Sequence, residues 1–165
     1  MIYVFDSSPL IHLFRHYYAD RFPSLWEKFD DLVLEHRIIS VREVRNELGG
    51  HSDRLSDWVK DHPEFFLTPA TDELHLVAEI FKVPHFQALI RKQEQLKGKP
   101  VADPFVIASA WALEERCVVT QEVKKPHAAK IPNVCEHFDI SCLNLEAFME
   151  KRSGGFENMA LHPDF

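Results

Sequence analysis

Short apolar runs alternate with amphipathic stretches along the whole chain, and that alternation sets the expected fold. Residues 2–5 are apolar or aromatic throughout, which predicts a buried strand. Ser8-Pro9 reads as a helix cap followed by proline at the first helical position, and Leu10, Leu13 and Phe14 give the ensuing helix an apolar face. Residues 22–33 predict a second amphipathic helix, with Trp26, Phe29 and Val33 at helical spacing. Residues 37–40 read as a short strand and 41–48 as a helix stopped by Gly49-Gly50. Ser52 caps a further helix to about His62, with Leu55, Trp58 and Val59 inward and Pro63 as its stop. Residues 65–67 predict a short strand, and Thr71 opens a helix through Phe81. Pro84 interrupts the pattern, which resumes over 85–95. Beyond a loop at 98–100, residues 104–116 form the most apolar helix, and 117–120 the strand after it. Residues 124–131 read as loop, 133–138 as one helical turn, 140–142 as a last strand and 144–152 as a last helix.

Strands that alternate with helices, some of them apolar on both faces, predict an α/β fold. The expected architecture is a three-layer α/β/α sandwich with a central, mostly parallel sheet. No internal repeat, low-complexity segment or linker divides the chain. One domain over 1–152 and a tail over 153–165, which carries Gly154, Gly155 and Pro163, are expected.

Acids stand where such a fold brings chain segments together. Asp6 directly follows the first strand, Glu122 lies just past the strand at 117–120, and Asp103 opens the most apolar helix. In an open α/β sheet the carboxyl ends of strands meet at one edge, where ligands bind. Converging carboxylates repel one another unless a cation lies between them, so the pattern predicts a hard-metal site and phosphodiester chemistry. Asp6 has no capping duty if Ser8 is the cap. Asp103-Pro104 also reads as a plain N-cap, and a capping carboxylate keeps one oxygen for a metal. Glu47 belongs to the helix that follows the second strand, so its end can overhang the same edge. Glu43 shares its helix face one turn earlier. Ser7 and Thr120 are neighbouring hydroxyls able to hold a ligand carboxylate or a metal-bound water.

Composition bounds this picture. The 165 residues are 45% hydrophobic and include 13 Phe, enough for one substantial core. No apolar run reaches the roughly 18 residues of a bilayer span, and the N-terminus lacks a charged region followed by a long apolar one. Cys117, Cys135 and Cys142 form no CxxC pair and read as reduced, buried residues of a cytoplasmic protein. A formal charge of −7 argues against a general nucleic-acid binder. Two basic clusters nevertheless border the acidic edge. Arg91, Lys92, Lys97 and Lys99 lead into Asp103, while Lys124 and Lys125, with Lys130, follow Glu122. Each reads either as a substrate clamp or as a solvated loop. His12 with His16 and Cys135 with His137 lack the further ligands of a zinc site. With only five Gly, the chain carries no phosphate-cradling glycine loop.

Asp6-Ser7 after the first strand, Glu47 in the helix after the second, Asp103 opening an Ile-Ala-Ser-Ala helix, and Thr120-Gln121-Glu122 together resemble the PIN domain, from Ile2 to Phe148. The segments at 17–18, 21–26, 40–44, 102–105, 119–122 and 131–135 resemble a bacterial PIN-like subgroup of poorly defined function. That subgroup is similar to the VapC-type toxin ribonucleases of toxin–antitoxin pairs. The resemblance implies a Mg²⁺- or Mn²⁺-dependent endoribonuclease with Asp6, Glu47, Asp103 and Glu122 as its metal-binding and catalytic cluster. One or two ions held there would activate a water and stabilise the leaving 3′-oxygen. The resemblance also implies an antitoxin partner and a homodimer. Glu122 departs from the commoner Thr-x-Asp form. Two rivals are a PIN scaffold without catalysis that serves protein interaction, and a structure-specific DNA nuclease, which would want a larger basic clamp.

Overall fold

Strand β1 (Ile2–Phe5) is the hub, and its apolar sequence follows from strands on both edges and helices on both faces. The structure, a computed structural model, describes residues 1–49, 53–90 and 101–152. β1 pairs with β2 (Ile38–Val41) on one edge and with β4 (Arg116–Val119) on the other. β3 (Phe66–Leu67) extends the sheet beyond β2, and β5 (Cys142–Leu143) extends it beyond β4. All four pairings are parallel, in the order β3-β2-β1-β4-β5. Chain order therefore runs outward from β1 to β3, then jumps back past β1 to β4. The topological switch point lies between β1 and β4, the place where such sheets open a ligand crevice at their carboxyl ends.

Helices α1 (Ser7–His16), α2 (Pro23–Leu34), α3 (Arg42–Leu48), α4 (Arg54–Asp61) and α5 (Thr71–Lys82) precede α6 (Asp103–Trp111), α7 (Ile131–His137) and α8 (Leu145–Arg152). Short 3₁₀ turns occupy Pro63–Phe65 and Pro84–Leu89. Tyr3 and Phe5 face one side of the sheet, where their rings meet Phe148 of α8, and Phe5 also meets Phe29 of α2. On the other side α6 lies against β1, β2 and β4, with α5 and α7 beside it. Val106, Ile107, Ala108, Ser109 and Ala110 of α6 are buried in succession, which explains why that helix is apolar all round rather than striped. The result is the expected three-layer α/β/α sandwich with a parallel sheet.

Several boundaries differ from the sequence reading. α1 begins at Ser7, so Ser8 lies inside it and Asp6 stands at the N-cap position without a side-chain capping bond. Asp53 caps α4 by accepting from Ser56 N–H at 2.8 Å, whereas Ser52 lies outside the described residues. α6 starts at Asp103, with Ala102 in the cap position, and ends at Trp111 rather than 116, because Arg116 already belongs to β4. The helical pattern after Pro84 is a 3₁₀ turn to Leu89, and 91–100 lie outside the described residues. The turn expected at 133–138 is the helix α7, opened by Ile131-Pro132. β5 falls at Cys142–Leu143, slightly later than expected. The expected tail at 153–165 lies outside the described residues.

Candidate metal and catalytic centre

Register places the first two groups. Phe5 pairs with Val119, so the next residue on each strand, Asp6 and Thr120, stand side by side at the switch point. Thr120 Oγ1 donates to Asp6 Oδ2 at 3.0 Å, and Ser8 Oγ donates to the same oxygen at 2.7 Å. Ser7 Oγ reaches Asp6 Oδ1 at 3.4 Å. Ser8 Oγ also accepts from Gln121 N–H at 3.0 Å, tying the start of α1 to the segment after β4. Asp6 is 3% exposed, and burial raises its carboxyl pKa above the ordinary range despite these hydroxyl donors.

Asp103 comes from the opposite wall, at the first residue of α6. Burial pushes its carboxyl up to about 7, and the negative charges of Asp6, Glu122 and Glu47 push in the same direction, with Lys130 opposing them. Three acids from three other segments thus act on Asp103. Among the described residues, no donor hydrogen-bonds the Asp103 carboxylate. It is half-buried and electrostatically crowded, and it lacks the compensation that Asp6 receives.

Glu47 projects from α3 toward the same wall, where its Oε1 accepts from Ala102 N–H at 3.1 Å, one residue before Asp103. Glu122 is held differently. One of its oxygens accepts from Lys130 Nζ at 2.6 Å and the other from Ile131 N–H at 2.8 Å. Its carboxylate therefore anchors the start of α7 as well as facing the cluster. Among the described residues, no three acidic, imidazole or thiol groups already form a closed metal cage. Asp6, Glu47 and Glu122 each point an oxygen at a protein donor. The donor set is all oxygen, which suits Mg²⁺ or Mn²⁺ rather than a softer metal.

Other candidates separate from this centre. Glu43 is buried against Arg42, whose Nη2 lies 2.7 Å from its Oε1, while Oε2 has no partner among the described residues. It is not among the charges acting on Asp103. Lys124 is ion-paired with Glu136 on α7, and the Lys125 backbone engages Asn133. Arg91, Lys92, Lys97 and Lys99 lie outside the described residues. The rings of His12 and His16 lie 4.6 Å apart on α1, tilted at 49° to one another. Burial pushes the Cys117 thiol up to about 11, consistent with an inert core residue. Sequence reasoning missed Ser8 as an Asp6 partner, because a Ser-Pro pair looks like a plain cap. It also missed Lys130 as the Glu122 partner.

A parallel α/β sandwich with a carboxylate cluster at its topological switch point is the class that fold and site define. The chain belongs to the domain of unknown function family DUF4411, which matches residues 3–156. No curated protein and no solved structure matches the chain.

Proposed function

We propose that this protein is a metal-dependent endoribonuclease of the PIN type, the toxin half of a toxin–antitoxin pair. The observation that carries the nuclease reading is Asp103: a half-buried carboxylate without a hydrogen-bond donor among the described residues, facing the charges of three other acids. A cation placed among these carboxylates would favour the ionised form of Asp103. Asp6 and Asp103 would hold that cation, with Glu47 and Glu122 completing its surroundings. A bound Mg²⁺ or Mn²⁺ would supply a polarised water and charge neutralisation at an RNA phosphate. The chain's own contribution is positioning. Ser8 and Thr120 fix the Asp6 carboxylate, the Ala102 N–H fixes Glu47, and Lys130 with Ile131 N–H fixes Glu122. The toxin role, the antitoxin partner and a homodimer rest on the resemblance of the segments around Trp26, Val44 and Cys135.

Incubation of the purified protein with single-stranded RNA and with DNA, with Mn²⁺ or with EDTA, tests the reading. Cleavage of RNA by wild type with Mn²⁺, and none by Asp103→Asn, is expected. Cleavage of DNA in preference to RNA would redirect the proposal to a DNA nuclease. A second reading, a non-catalytic scaffold, is favoured by the two bonds that occupy Glu122. Metal-dependent stabilisation without cleavage of either nucleic acid would support it.

A further inference from the structure

Two grooves flank the acidic centre, and they differ in whether their cations are already paired with carboxylates. The larger, about 710 Å³, runs along Gln121, Glu122, Lys124, Glu136 and Glu146. Its Lys124 is paired with Glu136, and the adjacent Lys130 is paired with Glu122. Both of these cations are therefore already engaged by carboxylates. The smaller groove, about 490 Å³, lies between α1, α3 and α4 and is lined by Ile11, Arg15, Tyr18, Glu47 and Arg54, among others. Glu47 lines this groove and is also one of the charges that act on Asp103, which links the groove to the acidic centre.

Arg15 and Arg54 are both exposed, and among the described residues neither has a carboxylate partner. The Arg54 guanidinium is nevertheless held in place. It lies 5.2 Å from the centre of the Tyr18 ring, 5.9 Å from that of Phe14 and 5.9 Å from that of Trp26. Aromatic neighbours orient a guanidinium without consuming its N–H donors, which stay available for an anion. Asp53, the other acid in this groove, turns one oxygen to its own helix at Ser56 N–H. Tyr18 is 49% exposed and so keeps ring surface open. Unpaired arginines beside an open aromatic ring are the combination that binds a single strand, with phosphates on the cations and a base on the ring.

We infer that the groove between α1 and α4 is the RNA-binding track of the acidic centre. Arg15 and Arg54 take phosphates on one flank of the cleaved bond, and Tyr18 stacks a base. The strand approaches over α1 and α4 rather than over the Lys124 side. This inference rests on the ribonuclease reading for the identity of the strand. It concerns substrate binding only, and none of the three residues touches the reacting atoms.

The test is fluorescence anisotropy of a labelled single-stranded RNA twelve-mer with the full chain in EDTA, followed by steady-state cleavage with Mn²⁺. Arg15→Ala and Arg54→Ala should each weaken binding about five- to tenfold. Each should also reduce the log–log salt slope by about 0.7 for every phosphate that is no longer neutralised. Tyr18→Ala should weaken binding at least about fivefold, while Tyr18→Phe should not. In cleavage KM should rise with kcat retained. Lys60→Ala, on the outer part of α4, should bind as wild type. Arg15 is a surface residue, so its variant stays informative even if Arg54→Ala loses stability, which circular dichroism would show.

If wild type cleaves RNA while all three groove variants bind like wild type, the track lies elsewhere and the ribonuclease reading stands. If wild type neither binds nor cleaves RNA, that reading fails and takes the track with it. Binding of an oligoglutamate peptide that is lost in Arg15→Ala, with RNA binding unchanged, would assign the groove to an acidic protein segment and overturn the inference.

Discussion

At the Asp103 carboxylate three effects compete: burial, the three neighbouring acids and the single opposing cation, Lys130. The first two win and hold its pKa at about 7, against an ordinary value of 3.8. The folded protein therefore keeps a proton on Asp103 across an interval where the unfolded chain has released it. The folded state binds more protons there, so this contribution to stability is complete at low pH and is lost as pH rises through about 7. Melting temperatures of metal-free wild type and Asp103→Asn across pH 4 to 8 should diverge, with the variant several degrees the more stable at pH 8. A constant difference across that range would contradict the assignment. Asp6 is expected to behave differently under substitution. Asp6→Asn keeps a hydrogen-bonding group among Ser8 and Thr120 and should leave the fold intact while abolishing cleavage. Asp6 and Asp103 were legible in the sequence because each sits at an element end that topology carries to the same edge. Ser8 was not, because whether its hydroxyl caps a helix or reaches Asp6 turns on one residue of helix start.

Among the elements, α6 and α7 carry the site. α6 is buried on all sides, and Arg116 at the start of β4 ties it to α5. Its guanidinium bonds the Ser109 carbonyl at 2.8 Å, the Ser109 hydroxyl at 2.9 Å and Glu73 at 3.0 Å. Both charges of this ion pair are nearly buried. Removing one partner strands the other, so Glu73→Ala should destabilise the protein by about 3 kcal/mol in chemical denaturation. A loss below about 1 kcal/mol would show the pair to be well hydrated. Glu122 has a similar duty toward α7. Glu122→Ala removes the acceptor for Ile131 N–H and Lys130, and should lower stability by about 1–2 kcal/mol. Wild-type stability in that variant would leave Glu122 as a purely electrostatic member of the cluster. The sequence showed Glu122 as an acid after a strand. Its anchoring role depends on α7 opening at Ile131, where the local pattern read as loop.

For the whole molecule, the strand order explains why acids distant in the chain share one edge. A parallel sheet that winds outward from β1 and then back past it leaves its crevice between β1 and β4. The alternation of apolar runs made the layers legible. The grooves were not legible, because they depend on α1 lying against α4 and on which lysines find acidic partners. The −7 charge is thus a poor guide to this surface: Lys124 and Lys130 are neutralised locally, while Arg15 and Arg54 have no acidic partner among the described residues. A cation that binds only the folded cluster stabilises the whole chain by mass action, about 2.7 kcal/mol at a concentration 100-fold above its Kd. Calorimetric titration of Mn²⁺ into wild type, Asp6→Asn and Asp103→Asn at pH 8 measures that binding. Saturable binding by wild type that both variants lose is the result expected of a divalent site built by Asp6 and Asp103. Equal binding by all three proteins, or none by wild type, would contradict it.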